Sequence, residues 1–222
     1  MKYLSAWVDQ TSKDGQQVCG DVTVYRRRNG QTFFILCDGM GSGEFANNAA
    51  NACTERLMTM LLESADPAEA CAKEAAYMHR ARSEEFPFAA FTAVVLEGDG
   101  SYSAYAYEAP GPLHIRRNRV STLPRETRPA GEESIECFYG QLEPGDYLLL
   151  ISDGVSQAGL GMGFGYGIGE QGAARYLNLR LSAHPGADLR QLMRDLSSYT
   201  AKISGGRLDD TSLALLECVE ES

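Results

Sequence analysis

The sequence predicts an α+β fold resting mainly on antiparallel sheet, and three observations carry that prediction. Short apolar, strand-like runs outnumber helical stretches and arrive in hairpin-like succession. Two of them flank Asn29-Gly30, the strongest short signal for a tight hairpin. The regular strand–helix alternation of a parallel sheet is absent.

Taken in order, Val22–Arg28 and Gln31–Cys37 form the arms of that first hairpin. Both of its faces are largely apolar, with Val22, Val24, Phe33 and Ile35 on one and Tyr25, Phe34 and Leu36 on the other. A sheet wet on one side would alternate more cleanly, so this one is expected to be covered twice. Gly43–Leu62 reads as a helix, because Ala46, Ala49, Ala50, Cys53, Leu57, Met60 and Leu61 recur at three- and four-residue steps. Asp66 then looks like an N-cap with Pro67 at the first helical position, opening a second helix to about Arg82.

Further strands are expected at Phe91–Glu97, Ser101–Glu108, Leu113–Arg117, Ser134–Tyr139 and Tyr147–Ser152. Helices follow near Gly169–Leu179 and from about Ala187 to Ile203, the latter with a stripe of Leu189, Leu192, Met193 and Leu196. Thr211–Val219 is the final strand.

The 222 residues are 44% hydrophobic, enough for one layered domain over residues 1–222. Thirty acidic against twenty basic residues give a formal charge of −10. That sign argues against holding nucleic acid through its phosphates and against an anionic membrane surface. No apolar run reaches the ~18 residues of a membrane helix, and Met1 to Val8 lacks the pattern of a signal peptide. A cytoplasmic protein is therefore expected. The six cysteines are scattered without a Cys-x-x-Cys pair, and His79, His114 and His184 share no zinc spacing with them. They read as ordinary buried thiols and surface histidines.

Extending the hairpin register outward from Asn29-Gly30 pairs Arg28 with Gln31 and, at the far end, Asp21 with Asp38. Two carboxylates directly across a strand pair repel each other, and a divalent cation between them reverses that sign. The alternative is that the ladder frays before Asp21 and both residues merely end strands, Asp38-Gly39 being a turn. Asp153 ends a second apolar strand, and Asp209-Asp210 precedes the last one. Acidic oxygens without an accompanying His or Cys suit Mg²⁺ or Mn²⁺.

Gly20-Asp21, Asp38-Gly39-Met40-Gly41-Ser42-Gly43, Ser152-Asp153-Gly154-Val155 and Asp209-Asp210-Thr211-Ser212 occur in that order. Together they resemble the metal-dependent protein phosphatases of the phosphatase 2C type, most nearly the bacterial stage II sporulation protein E branch, across essentially the whole chain. The resemblance implies a four-layer α-β-β-α sandwich and a site of two divalent cations, Mn²⁺ or Mg²⁺, at one edge. By the same resemblance Asp21 and Asp38 would hold both ions and, through a metal-activated water, do the catalysis. The Gly39 carbonyl, Asp153 and Asp209 would complete the ligand set, with Asp210, Gly41 and Gly154 in supporting positions. The implied reaction is hydrolysis of phosphoserine or phosphothreonine by water attacking in line. The implied substrate class is a phosphorylated regulatory protein, such as an anti-sigma-factor antagonist.

The family commonly carries an acid soon after Ser-Asp-Gly, where this chain has Gln157. No arginine near Asp21 matches the phosphate-gripping one of the eukaryotic branch, and Arg26, Arg27 and Arg28 lie at the far end of the hairpin. Glycines alternate with apolar residues over 159–169 without the Gly-Lys-Ser/Thr of a P-loop. That run reads either as a flap near the site or as a connector packing Leu160, Met162, Phe164 and Tyr166 on the body. Helices 43–62 and 67–82 read as core helices; in the resemblance they can instead receive a second copy or a regulatory partner. Two competing functions stand beside the phosphatase. A catalytically silent pseudophosphatase is disfavoured by retention of the four acids, and a phosphorylated receiver domain by the strand order.

Overall fold

At the first turn the chain does what its sequence asks: Asn29 and Gly30 are both left-handed, with φ of 51° and 81°, the geometry that matches strand twist in a two-residue hairpin. The computed structural model describes residues 1–163 and 165–221. Its strands and helices run in the order β1 (Lys2–Thr11), β2 (Asp21–Arg28), β3 (Gln31–Gly39), α1 (Gly43–Glu63), α2 (Pro67–Ser83), β4 (Ala89–Leu96), β5 (Ser101–Tyr107) and β6 (Leu113–Arg116). There follow β7 (Arg119–Thr122), β8 (Glu126–Ala130), β9 (Glu133–Gln141), β10 (Tyr147–Ile151), α3 (Asp153–Ser156), α4 (Gly169–Ala183), α5 (Leu189–Ile203) and β11 (Thr211–Glu220).

One sheet has the order β2-β3-β4-β5-β9-β8 and the other β1-β11-β10-β6-β7. All of their ladders are antiparallel. Three apolar layers hold the sandwich. Phe33, Ile35 and Cys37 pack with Leu57, Cys71 and Met78 of α1 and α2 on the outside of the first sheet. Phe34, Leu36 and Val94 meet Leu148, Leu150 and Leu216 between the sheets. Leu149, Ile151 and Leu215 pack under Leu177, Met193 and Leu196 of α4 and α5. The expected α+β class and doubly covered hairpin are both found, and β3 is apolar on both faces because it has a layer on each side.

Helix ends follow local chemistry. Asp66 accepts hydrogen bonds from the Ala68 and Glu69 backbone N–H groups and caps α2, with Pro67 next. Asp188 does the same for α5 through Arg190 N (2.9 Å), which is why that helix starts at Leu189 and not at Ala187. Helix α4 runs on past Leu179 to Ala183, because Leu181 is still buried.

Four elements were not anticipated. β1 is the edge of its sheet, and its core positions are broken up by Ser5, Asp9 and Gln10. β7 and β8 are short edge strands, and β8 carries Pro129, which an edge tolerates. α3 is a single turn. All six cysteines are free. Among the described residues no helix is long and apolar enough to cross a membrane.

Candidate active site

The two sheets present their acidic strand ends on the same side of the sandwich. Asp21 is the first residue of β2 and pairs directly with Asp38 near the end of β3, so the ladder does not fray before the carboxylates. Asp153 opens α3 immediately after β10, and Asp209 and Asp210 lead into β11. β10 and β11 are paired neighbours, and their site ends are stitched together where Ser152 N donates to Ser212 O (2.9 Å) and Ser212 N to Ser152 Oγ (2.9 Å).

Asp21 is 3% exposed, and neither of its carboxylate oxygens has a hydrogen-bond partner. Burial raises its pKa; the Asp210 and Asp153 charges add to the rise, while the nearby Ser212 and Ser152 hydroxyls temper it. Asp38 is raised more strongly, first by burial and then by the charges of Asp21, Asp153 and Asp209, with the Asp153 carboxyl within proton-sharing reach. Asp209 is raised by burial and by Asp153, with the Asp210 backbone N–H that it accepts (2.9 Å) and Lys13 opposing. Asp21, Asp38, Asp153 and Asp209 thus form one electrostatically linked set. Only Lys13 is a cation among the leading influences on it.

An unpaired buried carboxylate is costly, and four carboxylates sharing a volume are costlier still. Divalent cations with oxygen ligands relieve both costs. The donor set therefore fits hard cations. Among the described residues, however, no three acidic, His or Cys side chains are already closed to ligand spacing.

Asp210 faces elsewhere. Its Oδ1 accepts from Lys13 N (2.8 Å) and its Oδ2 from Gly20 N (2.8 Å), clamping the β1–β2 connection. Supporting glycines act through close packing. A Cβ on Gly39 would lie 1.9 Å from the Ala46 carbonyl oxygen, and one on Gly154 would lie 2.0 Å from the Asp210 carbonyl oxygen. Gly39 is thus glycine because helix α1 occupies the space that a Cβ would take. Gly41 lies in the turn between β3 and α1.

Gln157 donates to Asp153 Oδ2 (3.1 Å) and so orients it. Beside Asp153 a cleft of about 600 Å³ runs between the start of α4 and the β5–β6 connection. Arg125 lines it, bound to Glu136 (2.9 Å) and to Glu170 (2.6 Å). Neither Arg125 nor Lys13 was signalled by the sequence, since each lies in a connection without a motif. Arg26, Arg27 and Arg28 are exposed at the far end of the hairpin, where Arg27 pairs with Glu221. In the glycine-alternating run, Leu160, Met162 and Tyr166 are 52%, 63% and 96% exposed. They do not pack on the body as the connector reading expected, and Phe164 lies outside the described residues.

Comparison with known proteins agrees with this fold. The sequence model of the family described as "Stage II sporulation protein E (SpoIIE)" matches residues 28–219. The phosphatase domain of SpoIIE from Bacillus subtilis superposes with a TM-score of 0.73 at 17% identity, covering 100% of this chain and 94% of that one. The RsbU and RsbW domains of Rv1364c from Mycobacterium tuberculosis give 0.76 at 16% identity, covering 99% of this chain and 62% of that longer one. RsbX in complex with magnesium gives 0.64 at 16% identity, covering 98% and 100%. No curated protein matches the sequence.

Proposed function

The chain belongs to the stage II sporulation protein E family of phosphatases, and on that premise we propose that it is a metal-dependent serine/threonine protein phosphatase. The observation that carries this reading is the cross-strand pair of buried Asp21 and half-buried Asp38, with no hydrogen-bond partner on either Asp21 oxygen. Asp21, Asp38, Asp153, Asp209 and the Gly39 carbonyl would hold two divalent cations, Mg²⁺ or Mn²⁺; magnesium is the ion in the related RsbX structure. When bound, such ions supply Lewis-acid neutralisation of phosphoryl charge and lower the pKa of a water.

The residues of the chain do the rest. Asp21 and Asp38 define where the ions sit, because a strand ladder fixes the separation of their backbones. Gln157 donates to one oxygen of Asp153 and so fixes its orientation. Asp210 holds the β1–β2 connection against the site through the backbone of Lys13 and Gly20. Lys13, whose charge acts on Asp209, is the residue we assign to meeting the anionic substrate. No side chain is needed as a covalent nucleophile.

A phosphorylated regulatory protein, such as an anti-sigma-factor antagonist, is the substrate proposed from family membership. Helices α1 and α2 are the surface proposed for a second copy or a regulatory partner, since their inner faces support β3 while Tyr77 remains 46% exposed outside. Hydrolysis of an aryl phosphate and of a phosphoserine peptide with Mg²⁺, with Mn²⁺ and with chelator tests the activity. Turnover should appear only with the ions. Absence of turnover under every condition would favour the pseudophosphatase.

A further inference from the structure

A second cavity, of about 450 Å³, lies on the outer face of the other sheet. It is remote from the carboxylates: Tyr147 lines it at the start of β10, whereas Asp153 follows the end of that strand. On β11, Glu217 lies six residues beyond Thr211, about 20 Å at ~3.3 Å per residue. The volume falls in the range of small-molecule sites, about 300–1,000 Å³.

The ladders build its floor. Ser5, Glu217, Tyr147 and Ile115 form one row across four strands, and Trp7 and Leu215 begin the next. The first turn of α5 walls one side, with Arg190, and the left-handed Arg117-Asn118 turn walls another. Asp188 also lines the cavity; one of its carboxylate oxygens caps α5 through Arg190 N, and it keeps its negative charge there. Three other charges face the space. Glu217 sits on the floor, and Arg117 and Arg190 are at the rim, in no ion pair among the described residues. Burial and the Glu217 carboxylate raise the Tyr147 phenol while Arg190 opposes, so these three groups share one environment.

A ligand satisfying this arrangement has a flat apolar ring for Trp7 and Tyr147, adjacent N–H donors for a carboxylate, and an anion for two guanidiniums. We propose that the cavity binds a purine mononucleotide, guanine in preference to adenine, with the base against Trp7 and Tyr147 and the phosphate at Arg117 and Arg190. Guanine offers a carboxylate two parallel donors on its Watson–Crick edge and adenine only its amino group, so Glu217 sets the preference. The proposal does not depend on the phosphatase reading.

Trp7 is the only tryptophan in the chain, so its fluorescence reports on this cavity directly. Titration of the full chain with GMP should give a saturable change, and AMP a weaker one. The double substitution R117A/R190A, at exposed positions, should weaken GMP by at least about tenfold, and E217Q should remove the preference over AMP. Thermal melting of both variants shows whether they remain folded. No saturable change with GMP, or a folded arginine variant that binds like the parent, overturns the proposal. Equal affinity of the parent for GMP and AMP overturns the role of Glu217.

Discussion

Asp21 and Asp38 face each other across the β2–β3 ladder, and neither oxygen of Asp21 is hydrogen-bonded. Such a pair costs folding energy that only a bound cation returns. Activity and metal-free stability should therefore move in opposite directions on substitution. Asp38→Asn should lower metal-dependent turnover by at least about 100-fold while raising metal-free stability by about 1 kcal/mol. Initial rates with Mn²⁺ and melting in chelator measure the two. A variant that loses both activity and stability would show the pair to be structural.

The same carboxylates set a pH dependence. Asp21, Asp38 and Asp209 have folded pKa values above their ordinary value of 3.8. The folded chain then holds more protons than the unfolded one once the pH passes about 4, and stability falls as pH rises. The loss is absent below the unfolded value and complete above the folded ones. Melting in chelator should thus decline from mildly acid toward neutral pH, and saturating Mg²⁺ or Mn²⁺ should flatten the decline. Parallel curves with and without the ions would remove these residues from the ligand set.

Adjacent Asp209 and Asp210 should separate cleanly. Asp210→Ala strips a buried backbone donor, Gly20 N, and a half-buried one, Lys13 N, of their acceptor, the buried one alone at about 1–3 kcal/mol. Its melting temperature should drop. Asp209→Asn relieves a crowded charge while keeping an acceptor for the Asp210 N–H (2.9 Å), so it should melt no lower than the parent, yet bind Mn²⁺ more weakly by calorimetric titration. If both variants melt alike, the clamp assigned to Asp210 is wrong.

How much of this was legible beforehand depended on the range of the interaction. A two-residue turn at Asn29-Gly30 dictates register along the whole hairpin, so the Asp21–Asp38 pairing could be counted out residue by residue. Helices with apolar stripes were equally plain. Edge strands were not, because β7 and β8 have one neighbour each and expose most of their residues. The division of labour between Asp209 and Asp210 was hidden for another reason. Two identical side chains in sequence differ only in what packs around them, and the groups that Asp210 binds lie 190 residues or more away. Family resemblance supplied the four acids as a set; geometry supplied the reason that Asp210 stands apart.

Gly154 tests whether the two halves of the site must touch. A Cβ there would lie 2.0 Å from the Asp210 carbonyl oxygen, a backbone atom with nowhere to rotate. Gly154→Ala should therefore push β11 away from α3, at a cost of about 1–3 kcal/mol. The shift would separate Asp153 from Asp209, so Mn²⁺-dependent turnover should fall as well as the melting temperature. Gly165→Ala is the control, because that position has open space around it and should change stability by no more than about 0.5 kcal/mol. Gly154→Ala with parental melting and turnover would mean that α3 and β11 can part without harm, and Asp153 and Asp209 would then not act on a shared ion.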